Sequence, residues 1–173
     1  SYKNYLGLVA NPINTDKMSY TELKITNKTV IFLGINRYSY VRKGIVFFEK
    51  ALAIIKEKYA DKVEIIVTEN IPYAEYIAIY NRAHILLDQV YAYDQGYNAL
   101  EAMAKGKVVF TGAESEFLTH YTLLEDEVCI NALPNENDIV AKLSWLIENP
   151  DKIIEISKNA RNFIEKEHNY KLI

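Results

Sequence analysis

The eleven residues Gly34 to Gly44, GINRYSYVRKG, place three cations, Arg37, Arg42 and Lys43, between two glycines and ahead of an apolar periodic stretch. Cations at the start of a helix oppose its positive end, at a cost of some tenths of a kcal/mol each, unless an anion offsets them. A fork-shaped guanidinium beside an ammonium suits a diphosphate; the competing reading is a solvated loop whose charges are screened. A second group lies in Leu86 to Thr111, LLDQVYAYDQGYNALEAMAKGKVVFT. Gly96 admits a bend, Asn98 followed by Glu101 has the spacing of a capping box, and Ala99, Ala102 and Ala104 give a small-sided helix whose amino end is a ready anion site. Asp88 ends an apolar run, a position that touches ligand about as often as it caps a turn. His84 reads as packed or capping.

These residues need a scaffold that brings two distant loops together. Thr29 to Leu33 is a β-branched and aromatic run, and Val41, Ile45, Phe48, Leu52, Ile55 and Tyr59 recur at helical spacing. Val63 to Val67 is the next strand, Pro72 opens a short helix through Tyr80, and Ile85 to Leu87 is the third strand. After the helix closed by Gly106 come strand Val108 to Phe110, a segment Ser115 to Tyr121, and a fifth apolar run, Val128 to Ile130. Two helices follow, one marked by Ile139, Leu143 and Leu146, the other opened by Asn149 and Pro150. Strand and helix alternate throughout, which predicts an α/β fold: a Rossmann-like, three-layer α/β/α domain with a parallel sheet. Residues 1 to 27 lack a period and read as a strap or linker; the domain proper is 28 to 173. In such sheets ligands bind beyond the carboxyl ends of the strands, where both candidate groups fall.

GYNALEAMAKGKVVFTG resembles the signature of the family 4 type of glycosyltransferases, retaining sugar-nucleotide enzymes of the two-domain GT-B fold. The resemblance implies that this chain is the carboxyl-terminal, donor-binding half, that NPIN is the inter-domain stretch, and that an acceptor-binding amino-terminal domain precedes it. By the same resemblance Glu101 holds the ribose, and Lys43 with an arginine clamps the diphosphate of a UDP- or GDP-linked sugar. Arg37 is the favoured arginine and Arg42 the alternative, with Gly34 as the loop's glycine. The amides of Gly96, Tyr97 and Asn98 would face the donor phosphate or sugar. The family's earlier glutamate falls on Tyr93, with Asp94 next to it, and these two are candidates for sugar hydroxyls. The implied chemistry is leaving-group stabilisation without a metal or cofactor, toward a glycan or lipid-linked acceptor. The competing class is a Rossmann-like interaction module that has lost its donor site, favoured by Tyr93 standing where the family has an acid. A flavodoxin-like or receiver domain is disfavoured because the first strand lacks a phosphate-accepting aspartate.

Composition excludes several other classes. With 173 residues, half of them hydrophobic, the chain fits one core of ordinary size. A net charge of -3 argues against general nucleic-acid binding. Lone Cys129 can form no internal disulfide, and no Cys/His cluster has metal-ligand spacing. No apolar run approaches the roughly 18 residues of a membrane span, so the expected location is cytoplasmic, with peripheral membrane association through the rest of the protein.

Overall fold

A computed structural model describes residues 9–173, so the first eight residues of the strap lie outside the described part. Five strands form one all-parallel sheet in the order β2-β1-β3-β4-β5: β1 Thr29–Ile35, β2 Val63–Glu69, β3 Ile85–Leu87, β4 Val108–Thr111 and β5 Ile130–Asn131. The helices are α1 Tyr40–Lys43, α2 Ile45–Lys58, α3 Tyr73–Arg82, α4 Tyr97–Ala104, α5 Ser115–Tyr121, α6 Glu136–Glu148 and α7 Pro150–Glu167. From β1 the chain winds outward to β2, then returns past β1 to β3. The winding direction therefore reverses between β1 and β3, and a crevice opens there at the carboxyl edge.

Alternation along the buried strands sends side chains to two cores. Ile31, Leu33, Ile85, Leu87, Val108 and Phe110 meet α2 and α6 on one face. Phe32, Leu86 and Val109 meet α3, α4, α5 and the second half of α7 on the other. The small residues of α4 serve this packing: Ala99, Ala102 and Ala104 are fully buried and let the helix lie close to the sheet. The strap is anchored by buried Ile13 and Leu23, and Ile13 pairs with Asn169 beyond α7.

Four sequence-based expectations need correction. The helix expected from Val41 to Tyr59 is two helices, because Gly44 adopts φ 65 and breaks the ladder; Val41 lies in the short first piece and is exposed. The capping box does not form. Gly96 is the N-cap of α4 and Asn98 is already inside the helix, so Glu101 has no cap to return a bond to. Gly96 itself is extended, at φ -82 and ψ 172, a conformation open to any residue, so no special bend explains it. The fifth strand is shifted to Ile130–Asn131, because β4 pairs with it only through Phe110 and Thr111; Val128 and Cys129 are buried ahead of it.

Candidate functional site

The crevice between β1 and β3 is built from the loop that leaves β1. Asn36 caps a 3-10 turn over Arg37–Ser39 by accepting the Tyr38 N–H at 3.0 Å, and Ser39 Oγ donates back to Asn36 O at 3.2 Å. One turn of α1 follows, and Gly44 ends it. A Cβ on Gly44 would meet Val90 Cγ2 at 2.2 Å, so the first loop can lie against the third strand's loop only with glycine there. The Val90 N–H also donates to Lys43 O at 2.9 Å. Lys43 is thus fixed at the crossing of the two loops.

Its ammonium reaches Asp88, at 2.7 Å from Oδ1. The same oxygen accepts from Asn98 Nδ2 at 2.9 Å, and Oδ2 faces Thr111 Oγ1 at 3.4 Å. Asp88, Lys43, Asn98 and Thr111 come from four separate segments and close on one point at the sheet edge. Asn98 sits in the first turn of α4, whose first internal hydrogen bond is Leu100 N–H to Gly96 O. The amides of Tyr97, Asn98 and Ala99 therefore have no acceptor within the helix and point toward its open end.

Over this point lies a cleft of about 670 Å³, lined among others by Gly34, Ser39, Arg42, Lys43, Tyr76 and Asn98. Gly34 allows Tyr76 to close one wall: a Cβ there would meet Tyr76 Cε2 at 2.8 Å. Burial, with smaller contributions from Asp88, Tyr73 and Glu101, pushes the Tyr76 phenol upward, so it stays a neutral hydroxyl. Thr68 near the end of β2 and Asn70 and Ile71 of the β2–α3 connection also line the cleft.

Of the residues singled out in the sequence, Gly34, Arg42, Lys43 and Asn98 share this cleft. Arg37 does not line it. Its guanidinium makes a two-pronged pair with Glu69, both contacts 2.6 Å, and lies 5.1 Å from the centre of the Tyr40 ring. Gly96 and exposed Tyr97 form the end of α4, and Glu101 is exposed one turn beyond Asn98 on that helix. Tyr93 and Asp94 line a different cleft of about 440 Å³, together with Gln95, Phe117, His120, Tyr121 and His168. Asp88 is the residue that sequence reasoning left undecided. Its signal was an acid immediately after an all-apolar strand, and its three partners are scattered over 68 positions from Lys43 to Thr111.

Residues 29–172 match a family described as glycosyl transferase-like. The chain belongs to that family. Its fold is that of the carboxyl-terminal domain of GT-B glycosyltransferases. The C-terminal domain of the glycosyl transferase group 1 family protein LpcC from Francisella tularensis superposes with a TM-score of 0.66 at 20% identity, over 91% of this chain and 98% of that one. Sucrose-phosphate synthase from Thermosynechococcus elongatus gives 0.68 at 20% identity, over 96% of this chain and 49% of that one. Anabaena HepE in complex with UDP gives 0.66 at 13% identity, over 95% of this chain and 54% of that one. The chain spans about half the length of the last two. No curated protein matches it in sequence. Among the described residues of this glycosyl transferase-like chain, no helix is long and apolar enough to cross a membrane.

Proposed function

We propose that the cleft between β1 and β3 holds the nucleoside diphosphate of a UDP- or GDP-activated sugar, and that the domain serves a retaining transfer to a glycan or lipid-linked acceptor held by a second domain. The observation that carries this reading is the meeting of Lys43, Arg42 and the amino end of α4 around one cleft at the switch point of the sheet. Charge on the diphosphate grows as the glycosidic bond breaks, and fixed cations with free amides stabilise that charge more than they stabilise the intact donor. Lys43 supplies a point charge and Arg42 a planar fork, so the leaving group is met without a cofactor. Arg42 takes the arginine role here because Arg37 is engaged by Glu69. Glu101, exposed one turn along α4, is the acceptor for the ribose diol. Transfer then takes place on the cytoplasmic side of any membrane that carries the acceptor.

HepE is similar in fold and its structure contains UDP, which supports a nucleotide in the equivalent place. The non-enzymatic reading draws on Lys43 being already paired with Asp88. Thermal melting with UDP and with GDP separates the two. A ligand present at about 100 times its Kd stabilises the native state by roughly 2.7 kcal/mol, so one of the nucleotides raises the melting temperature of the wild-type chain and not of Lys43→Met. No shift with either nucleotide at millimolar concentration overturns the proposal.

A further inference from the structure

The carboxylate of Asp88 is held by more partners than a turn cap requires. The residue is only 3% exposed, at the end of the short central strand β3, and its donors come from the end of α1, the first turn of α4 and the end of β4. A buried carboxyl group needs donors in place of its water, and here each donor belongs to a different arm of the cleft. Lys43 is partly exposed, 28% by side chain, so its ammonium bridges the buried anion and the open cleft. An ammonium carries three N–H groups, and one directed at Asp88 leaves two for a ligand.

We propose that Asp88 is a positioning residue for anion capture. It holds the Lys43 ammonium at the cleft floor beside the open end of α4, and through the same oxygen it fixes Asn98. This rests on the cleft being a diphosphate site. Lysine's four-carbon stem has no preferred direction of its own, so without Asp88 the ammonium spreads over solvent-facing rotamers and the site loses its preformed geometry. Bare Coulomb attraction gives the opposite expectation. A negative charge on the cleft floor repels a diphosphate, and its removal alone would tighten binding.

The opposite signs make the test decisive. Binding of UDP and GDP, with uridine and guanosine as phosphate-free controls, is measured calorimetrically on the 173-residue chain and on Asp88→Asn, Lys43→Met, Lys43→Arg and Asp88→Asn/Lys43→Met. Asp88→Asn is expected to weaken the nucleoside diphosphate about ten-fold or more, to leave the nucleoside within about two-fold, and to have no further effect in the Lys43→Met background. Lys43→Arg keeps the charge and loses the fit to the buried carboxylate, so it is expected to bind about as poorly as Lys43→Met. It remains informative where Asp88→Asn does not fold. Equal or tighter diphosphate binding by Asp88→Asn overturns the proposal, as does Lys43→Arg binding like the wild type. A wild type that binds no nucleoside diphosphate, or a Lys43→Met chain that binds as well as wild type, overturns the cleft assignment itself.

Discussion

Two arginines that look interchangeable in GINRYSYVRKG have different surroundings. Arg37 is tied to Glu69 on the exposed edge by β2, where both side chains are well solvated, at 51% and 40%. Water screens an exposed pair of this kind, so Arg37→Ala is expected to shift the denaturation midpoint little and to leave nucleotide affinity unchanged. Arg42→Ala is expected to weaken UDP or GDP several-fold with no loss of stability, because Arg42 lines the cleft as an exposed side chain. The histidines make a separate prediction. His84 Nδ1 accepts the Val30 N–H at 2.9 Å, which requires that nitrogen to be unprotonated. Burial, aided by the nearby Lys107 charge, lowers its pKa from 6.5 against a backbone hydrogen bond with Lys24 and the more weakly acting Glu64; burial likewise lowers that of His168. With folded values below unfolded ones, the stabilisation is present above pH 6.5 and is lost as pH falls through the folded pKa values, because the unfolded chain then binds more protons. Melting temperature is therefore expected to drop between pH 7 and 5, and less steeply in His84→Gln.

At the scale of elements, two glycines beside the cleft have opposite reasons to be there. Gly44 is required by the fold: φ 65 and a Cβ at 2.2 Å from Val90 mean that Gly44→Ala strains the backbone and forces apart the two loops. We expect a loss of about 1–3 kcal/mol in chemical denaturation, with weakened nucleotide binding. Gly96 is not required by the fold, since its nearest neighbour to a built Cβ is Gln89 Nε2 at 4.0 Å. Gly96→Ala is expected to melt close to the wild-type temperature, reduced unfolded-state freedom being offset by alanine's poorer fit at the N-cap, and yet to bind UDP or GDP more weakly because a methyl group stands at the open end of α4. Equal affinity would show that nothing approaches α4 there. These elements also mark what a sequence can reveal. Alternating strands and helices were legible from period and length, and the Pro150 start of α7 fell where the residues placed it, whereas the segment Ser115 to Tyr121, given no type from the sequence, is helix α5. The break at Gly44 was not legible, because Val41 and Ile45 continue the helical spacing across it and only the contact with Val90 demands a left-handed residue. Nor was the failure of the capping box: the helix starts with Gly96 as its cap, two residues before Asn98, whose side-chain amide instead donates to a carboxylate ten residues away.

For the molecule as a whole, the sheet separates two cores that α7 also bridges, and β4 is buried on both sides. Phe110 is fully buried among residues of α2 and α6, and Phe110→Ala is expected to cost about 3–5 kcal/mol in equilibrium denaturation. The strap is held by a different device: Arg161 Nη1 donates to Met18 O and to Ala104 O at 2.8 Å, clasping the early chain to the end of α4. Sequence could point to the sheet edge as the candidate site, because parallel topology fixes which strand ends converge. It could not tell which acid would complete the site, since the partners of Asp88 meet only once the sheet is assembled.

Three of the connections at that edge are fastened to one another. Val90 N–H binds Lys43 O, Glu114 N–H binds Tyr93 O, and the buried Gln95 amide donates to Gly112 O at 2.7 Å. They behave as a single beam laid across the strand ends, so a residue exchanged anywhere along it is felt at every other anchorage. Among the described residues, Ile71, which also lines the cleft, carries no such tether. Evolutionary tinkering with ligand preference therefore has its freest ground on that untethered side, where a new side chain can be tried without unseating the lysine.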